Sequence, residues 1–244
     1  MKQTILTILE NNSLTPDVCL MRLLGDTSAI TAPGQFVNIA LPGLYLRRPI
    51  SVCDVEGDVL TLIYKIVGKG TDALSRMGTG EKLDVLTGLG NGYALDRAGE
   101  APVLIGGGVG VPPLYLLAKR LRAQGKCVFV RLGFNAAGEV FYEDEFRALG
   151  CDVVVSTVDG SHGEKGFVTG ILPPEPSYYY ACGPEAMLRA VYSALHCSGE
   201  MSFEARMGCG FGACMGCTIE TVNGPRRVCK DGPVFEKEAL VWRT

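Results

Sequence analysis

Four cysteines near the C-terminal end are spaced in a way that could hold a metal cluster. Cys209, Cys214, Cys217 and Cys229 follow the pattern C-x4-C-x2-C-x11-C. Plant-type [2Fe–2S] proteins use this spacing to ligate two irons with four thiolates. Glycines surround the first three cysteines, and glycine lets a tight loop point its backbone N–H groups at sulfur. We therefore predict a [2Fe–2S] cluster on these four thiols. The alternatives are free thiols or a structural zinc site, although zinc sites usually combine paired short spacings, often with histidine, and no histidine follows His196.

Composition narrows the class of protein. The chain has 244 residues, a net charge of −3 and ten cysteines. This length allows two ordinary domains or one large one, and the charge gives no basic surface for nucleic acid or an anionic membrane. No apolar run approaches the roughly 18 residues of a membrane-spanning helix. Residues 1–10 do not read as a secretory signal, so we predict a cytoplasmic protein with reduced thiols.

The first hundred residues have the pattern of a small all-β domain. Short apolar segments alternate with turn signals rich in Gly, Pro and Asp, which favours an antiparallel β-barrel. We predict this barrel over residues 1–98. Its strand segments are residues 5–9, 18–23, 35–41, 50–55, 59–67 and 82–86.

The pattern changes near residue 99 to alternating strand and helix segments. This alternation predicts a doubly wound parallel sheet with helices on its faces, over residues 99–200. Residues 201–244 remain as a small module that carries the four spaced cysteines. The predicted fold class is therefore multidomain, with an antiparallel β-barrel, a parallel α/β domain and a C-terminal [2Fe–2S] module.

A glycine-rich loop connects the first strand of the α/β domain to its first helix. Its glycines are Gly106, Gly107, Gly108 and Gly110. Pro112 stands where a helix should begin, a position that tolerates proline. Free N–H groups at a helix start favour an anion such as a pyrophosphate. The loop therefore predicts a dinucleotide site, although a plain tight turn is the alternative.

A second strand-to-helix turn supports the dinucleotide site. Cys182, Gly183 and Pro184 end one strand and open another helix, and ligands of such sheets bind at the carboxyl ends of the strands. This turn, too, has a purely structural alternative. Residues 133–135 offer no Asp or Glu at the end of the second strand, so the choice between NAD and NADP stays open. Arg131 would either meet a 2′-phosphate or pair on the surface.

Two arginines in the barrel mark a further phosphate site. Arg47 and Arg48 open a strand that continues through Pro49 and Ile50 to Ser51, and the fork of donors on arginine matches phosphate oxygens.

A second anion-binding feature lies downstream in the barrel. Ile63, Tyr64 and Lys65 end one strand, and Gly70 and Thr71 precede a helical stretch at residues 72–77. N–H groups and a hydroxyl at a helix start form an anion site. Without the rest of the chain, these residues would be ordinary surface cations and a helix cap.

The combined pattern resembles the ferredoxin-reductase superfamily. In that family an Arg-x-x-Ser strand motif, usually with Tyr where this chain has Ile50, binds FAD in a β-barrel that precedes a nicotinamide domain. The closer resemblance is to the electron transfer subunits of NAD-dependent dihydroorotate dehydrogenase. It rests on residues 47–51, 106–113, 182–184, 209–217 and 227–235, and it spans essentially the whole chain.

This resemblance implies two cofactor sites beside the cluster. The FAD site would comprise Arg48, Pro49, Ile50, Ser51, Ile63, Tyr64, Lys65, Gly70 and Thr71. The NAD site would comprise Gly106, Gly107, Gly108, Gly110, Cys182, Gly183 and Pro184.

The resemblance also implies a partner. A separate FMN-containing subunit would oxidise dihydroorotate to orotate in pyrimidine biosynthesis, in a heterotetramer with two copies of each chain. Its electrons would pass through the cluster and FAD to NAD⁺.

No residue is predicted to act on a pyrimidine in this chain. His162 lies in a loop and His196 near a helix end, where surface or capping roles are ordinary. The main alternative function is an NAD(P)H–ferredoxin-type reductase subunit of a hydrogenase or a bifurcating complex. A cluster-based redox sensor and a zinc-stabilised binding module are further alternatives.

Overall fold

Six antiparallel strands close into a barrel at the N-terminal end of the computed structural model, which describes residues 1–242. Apolar side chains alternate along the strands and fill the barrel, as Leu6, Ile8 and Met21 show. The predicted barrel is confirmed. The strands are β1 (Lys2–Ser13), β2 (Val18–Leu24), β3 (Phe36–Ile39), β4 (Arg48–Glu56), β5 (Val59–Lys65) and β6 (Lys82–Leu89), in the order β1-β2-β5-β4-β3-β6.

A short helix, α1 (Lys69–Ser75), follows β5. It begins three residues before the predicted stretch at 72–77, because the Thr71 hydroxyl accepts the backbone N–H groups of Val67 and Gly68 and so closes the entry turn. At the other end of the helix, the Asn11 side chain donates to the carbonyl oxygens of Leu74 and Met77. The first turn of α1 is therefore closed locally, and its far end is tied to β1 of the barrel.

A seven-stranded sheet forms the second half of the molecule. Six of its strands are parallel, and the last is an antiparallel edge strand. In spatial order the strands are β10 (Glu164–Lys165), β9 (Asp152–Thr157), β8 (Phe129–Phe134), β7 (Val103–Gly107), β11 (Tyr179–Cys182), β12 (Gly199–Ser202) and β15 (Val234–Glu236).

Helices cover both faces of this sheet. On one face, α2 (Tyr115–Ala123) and α3 (Glu143–Ala148) pack on a core that includes Leu104. On the other, α4 (Glu185–Ala194) packs on a core that includes Ile105. Because β-strand side chains alternate between faces, these neighbouring residues serve opposite cores. The doubly wound arrangement is confirmed.

The barrel and the sheet are joined by packing and by ion pairs. Lys119 of α2 contacts Asp54 at 2.8 Å and Glu56 at 2.6 Å, both on β4. Arg120 donates to the carbonyl oxygen of Thr31 at 2.7 Å, and Cys53 of the barrel is buried in the sheet's core cluster. A cleft between the two halves therefore has fixed walls.

The C-terminal segment is built into the sheet rather than appended to it. After a hairpin of β13 (Thr218–Thr221) and β14 (Gly224–Arg227) and the short helix α5 (Val228–Asp231), the chain returns as β15 to pair with β12. Strand β12 itself runs across the domain boundary predicted at residue 200. Within residues 1–242, no helix has the length and apolar character needed to cross a membrane.

Candidate functional site

A cleft of about 330 Å³ opens along strands β4 and β5 of the barrel. We call it the barrel cleft. One residue predicted to bind FAD, Gly70, does not line this cleft and lies directly behind the guanidinium of Arg48. The structure therefore brings the predicted FAD residues together, although they are far apart in the chain. Those that line the barrel cleft are Arg48, Pro49, Ile50, Ser51, Ile63, Tyr64, Lys65 and Thr71.

The two neighbouring arginines of the barrel motif have different environments. Arg47 contacts the Asp84 carboxylate at 2.9 Å, and its hydrogen bonds lower the pKa of Asp84 below the usual range. Arg48 has no carboxylate partner within residues 1–242. A Cβ atom added to Gly70 would lie 1.8 Å from Nε of Arg48, so the guanidinium rests on bare backbone. Arg48 is thus the cation available for a phosphate, and the lack of a side chain at Gly70 makes room for it.

Three other predicted FAD residues have polar ends that are already engaged. The Tyr64 hydroxyl donates to Oδ1 of Asn11 at 2.8 Å, and burial raises the pKa of this phenol. Lys65 pairs with Asp17 at 2.8 Å, while the Thr71 hydroxyl holds the entry turn of α1. These residues shape the barrel cleft and position its helix.

A second cleft, of about 660 Å³, lies at the carboxyl ends of the sheet strands. We call it the sheet cleft. It shares the lining residues Lys65, Val109 and Glu204 with the barrel cleft, so the two clefts adjoin. The predicted NAD residues that line the sheet cleft are Gly107, Gly108, Gly110, Gly183 and Pro184.

The loop glycines have separate reasons to be glycine. A Cβ on Gly106 would approach Val111 at 2.9 Å, so Gly106 permits close packing below the cleft. A Cβ on Gly110 would lie 2.2 Å from the carbonyl oxygen of Cys182. The two predicted nucleotide turns therefore meet backbone to backbone. Gly108 has φ +51°, and a Cβ atom added to it would meet no other atom within 4 Å, so its backbone faces the open cleft.

The chain leaves this loop differently from the prediction. Two 3₁₀ turns, Gly108–Gly110 and Pro112–Leu114, precede α2, whereas the sequence predicts a continuous helix from Pro112. Two adjacent prolines supply no backbone N–H, which leaves short 3₁₀ turns as the entry to the helix.

Cys182 lines a different cleft from Gly183 and Pro184, the two residues that follow it. It lines the barrel cleft, whereas Gly183 and Pro184 line the sheet cleft. Burial raises the pKa of its thiol to about 12, a shift that Glu204 reinforces. Cys182 is therefore a neutral, packed thiol at ordinary pH.

Among the cleft residues absent from the sequence prediction are three consecutive ones at the end of β12. Ser202, Phe203 and Glu204 line the barrel cleft, and Glu204 also reaches the sheet cleft. Although solvent reaches Glu204, desolvation raises the pKa of its carboxyl. The end of a parallel strand is a usual ligand position, and that signal could have identified them.

The structure decides between the two predictions for Arg131, which lies in β8, the second strand of the sheet in chain order. Its guanidinium pairs with Asp152 at 3.0 Å and donates to the carbonyl oxygen of Ile171 at 2.8 Å. Arg131 is buried and engaged, so it does not reach the sheet cleft. The carboxylate in that region is Glu139, which lines the sheet cleft and accepts the side-chain amide of Asn135 at 2.9 Å.

Backbone N–H groups point at the sulfurs of the cysteine loop. Sγ of Cys209 accepts from Ala213 at 3.2 Å and from Cys214 at 3.5 Å, and Sγ of Cys217 accepts from Cys229 at 3.4 Å. Cysteine sulfurs that accept backbone N–H groups, in a segment with four spaced thiols, suit an iron–sulfur cluster. Within residues 1–242, no three or more His, Cys, Asp and Glu side chains are arranged to hold a single metal ion.

The thiols of this loop differ in their acidity. Burial opposes ionisation of Cys209, but N–H donors led by Cys214 lower its pKa to about 6. Burial raises the pKa of Cys229 to about 12, and its contact with Cys217 adds to the shift. The loop thus combines one readily ionised thiol with one that needs a positive charge, such as iron, to become a thiolate.

Comparison with known proteins identifies the family. The iron-sulfur cluster binding domain of dihydroorotate dehydrogenase B matches residues 204–241. The electron transfer subunit of dihydroorotate dehydrogenase B (NAD⁺) from Geobacillus sp. (strain WCH70) is 41% identical over 256 residues, which covers 99% of each chain. Its counterpart from Fusobacterium nucleatum is 41% identical over 247 residues, covering 94% of this chain and 95% of the relative. This chain belongs to the family of dihydroorotate dehydrogenase B electron transfer subunits.

Solved structures agree with this assignment. An NADH-dependent reduced ferredoxin–NADP oxidoreductase, studied for flavin-based electron bifurcation, superposes with a TM-score of 0.89 at 28% identity, over 98% of this chain and 90% of that chain. A ferredoxin–NADP⁺ reductase from Neisseria gonorrhoeae with bound FAD and NADP gives a TM-score of 0.69 at 19% identity, covering 80% and 90%; this second likeness concerns the fold. The predicted resemblance, the oxidoreductase class and the iron–sulfur module are confirmed.

Proposed function

We propose that this chain carries electrons from dihydroorotate oxidation to NAD⁺. Electrons enter at a [2Fe–2S] cluster on the C-terminal loop and reach NAD⁺ through FAD. An FMN-containing partner subunit would oxidise dihydroorotate to orotate, in an assembly of two copies of each chain. The observation that carries the proposal is the adjacency of the barrel and sheet clefts, in a chain that also bears the four-cysteine loop.

The residues present fit FAD in the barrel cleft. Arg48 would bind a phosphate with its guanidinium, which contacts the backbone carbonyl of Leu46 but pairs with no carboxylate within residues 1–242, over the bare backbone of Gly70. Pro49, Ile50 and Ser51 would form the wall beside the ring. Bound flavin supplies both two-electron exchange with a nicotinamide and one-electron exchange with a cluster. The protein's part is to fix the ring where the two clefts meet and to keep water from it.

NAD⁺ is the substrate of the sheet cleft. Its pyrophosphate would lie against the backbone of Gly107 and Gly108, which present no side chain. Gly183 and Pro184 would hold the nicotinamide end near Lys65 and the barrel cleft. Chain atoms therefore orient the ring toward the flavin, and no acid or base is needed for hydride transfer itself.

We further propose that Cys209, Cys214, Cys217 and Cys229 ligate the cluster. Replacing any one of them with serine should abolish or strongly alter the electron paramagnetic resonance signal of the reduced protein. The control is Cys127→Ser, at an exposed cysteine outside the loop, which should keep the signal. Protein that contains stoichiometric zinc and no sulfide would contradict the assignment.

The exposed face of the cysteine loop supports a docking role toward the partner subunit. Cys214 is solvent-exposed, and Phe211 and Met215 beside it are 45% and 54% exposed. Exposed apolar side chains around a redox group are suited to contact with another protein. Electron transfer to an outside cofactor requires close approach at this face.

The decisive experiment separates the two subunits. Alone, the chain should oxidise NADH with an artificial acceptor, because its two clefts suffice for that reaction. It should form NADH from dihydroorotate and NAD⁺ only after the FMN-containing subunit is added. Turnover of dihydroorotate by this chain alone, or no gain on mixing, would refute the proposal.

A second candidate function is a reductase subunit of an electron-bifurcating complex. The 0.89 TM-score to the NADH-dependent reduced ferredoxin–NADP oxidoreductase favours it. The two functions differ in the partner. Reduction of ferredoxin by the purified assembly, without response to dihydroorotate, would support the second candidate over the first.

A further inference from the structure

One buried amide connects the barrel wall to the cysteine loop. Asn38 lies in β3 and is 1% exposed. Its side-chain Nδ2 donates to the carbonyl oxygen of Cys209 at 3.1 Å. In the strand register, Asn38 stands opposite Pro49, a member of the proposed FAD site. A single residue therefore touches both a proposed cluster ligand and the strand that lines the barrel cleft.

The backbone of Asn38 is held in place from the FAD side. The Asn38 carbonyl oxygen accepts from Nη1 of Arg47 at 3.3 Å, and Arg47 is itself fixed by Asp84. The residue before the phosphate-binding Arg48 thus anchors Asn38.

The cysteine loop is shaped to receive this amide. Gly210 has φ +80°, and a Cβ atom there would lie 2.4 Å from Nδ2 of Asn38. Oδ1 of the same amide is buried and has no hydrogen-bond partner within residues 1–242. An apolar side chain would avoid this unpaired oxygen, whose burial is unfavourable. An amide at this position therefore indicates that its N–H donor has a specific role, which is the contact with Cys209.

We propose that Asn38 is a positioning residue that sets the spacing between FAD and the [2Fe–2S] cluster, by holding the Cys209 carbonyl against strand β3. Electron transfer between two cofactors slows as their separation grows, so a looser loop would slow the step between them. The inference rests on the proposed FAD and cluster sites. It does not depend on dihydroorotate or on the partner subunit.

The test uses Asn38→Leu and Asn38→Asp in the full chain loaded with FAD and cluster. Both variants keep the size of the side chain. Leucine has no donor for the Cys209 carbonyl oxygen, and aspartate has one only when it is protonated. Losing one hydrogen bond should raise amide hydrogen exchange in residues 208–217 by roughly 2- to 10-fold. After mixing with excess NADH, bleaching of the cluster absorbance should slow, while flavin bleaching keeps its rate.

The matched control is Gln35→Ala, which removes another buried barrel amide. Its Nε2 donates to the carbonyl oxygen of Gly90 and not to the cysteine loop. This variant should lower thermal stability without changing cluster bleaching. Unchanged loop exchange and unchanged cluster bleaching in both Asn38 variants would overturn the proposal. So would a Gln35→Ala effect on cluster bleaching as large as theirs, because Asn38 would then act only through general stability.

Discussion

The walls of the barrel cleft and the sheet cleft are built in opposite ways. In the barrel cleft, side chains such as Arg48 and Ser51 form the wall, and one glycine, Gly70, makes room behind them. In the sheet cleft, glycine backbone forms part of the wall, with Gly110 pressed against Cys182. The barrel cleft should therefore be sensitive to the removal of side-chain atoms, and the sheet cleft to their addition.

Removing side-chain atoms should have its largest effect at Arg48. Arg48→Ala deletes a charge-assisted contact worth about 1.5–3 kcal/mol, which corresponds to roughly 10- to 100-fold weaker FAD retention. Titration of apoprotein with FAD measures this. Arg47→Ala is the contrast, since Arg47 pairs with Asp84 and should affect barrel stability more than FAD affinity. An equal loss of FAD affinity in both variants would show that the two arginines do not have separate roles.

Adding side-chain atoms should have its largest effect at Gly110. Gly110→Ala places a methyl group 2.2 Å from the Cys182 carbonyl oxygen, where only backbone can yield. We expect a loss of about 1–3 kcal/mol in the free energy of unfolding, together with weaker NADH binding and normal FAD content. Urea denaturation and NADH titration test these effects. Gly138→Ala, at a site with open space, should leave both unchanged.

A buried carboxyl in β12 should make the stability of the fold depend on pH. Glu200 of β12 is 5% exposed and accepts the backbone N–H of Ala94 at 2.9 Å. Burial raises its pKa to about 7. Because the folded pKa exceeds the unfolded value, stability is full in acid and falls as pH rises toward 7, by about 1–3 kcal/mol. Glu200→Gln should flatten that dependence in denaturation curves taken from pH 5 to 8. An unchanged slope would mean that Glu200 ionises normally.

The smallest effect is expected where a cleft residue acts through its helix. Thr71→Val removes the hydroxyl that closes the entry turn of α1, a loss of about 1 kcal/mol. FAD retention should weaken less than in Arg48→Ala, and the melting temperature should fall slightly. If FAD affinity instead drops as far as with Arg48→Ala, the hydroxyl contacts the cofactor directly.

Features encoded by neighbouring residues were predictable. The apolar alternation places the barrel strands, and helix α4 begins at Glu185, as predicted. The cysteine spacing identifies the iron–sulfur module because the first three of the four cysteines share one loop. In each case the physical cause lies within a few residues of the feature.

Features that depend on distant contacts were not predictable. Nothing in the local sequence separates Arg47 from Arg48, because Asp84 makes the difference. Glu204 was assigned to the cluster module, whereas the path of β12 brings it to both clefts. Pairing between β12 and β15 joins segments that the sequence predicts to be separate units.

That last pairing has a consequence for how the chain is made. Strand β12 keeps an open edge until residues 234–236 have left the ribosome, a few positions after Cys229. Unpaired strand edges are templates for self-association. A nascent or truncated chain that ends before residue 234 should therefore aggregate, even though every strand of the barrel is already present.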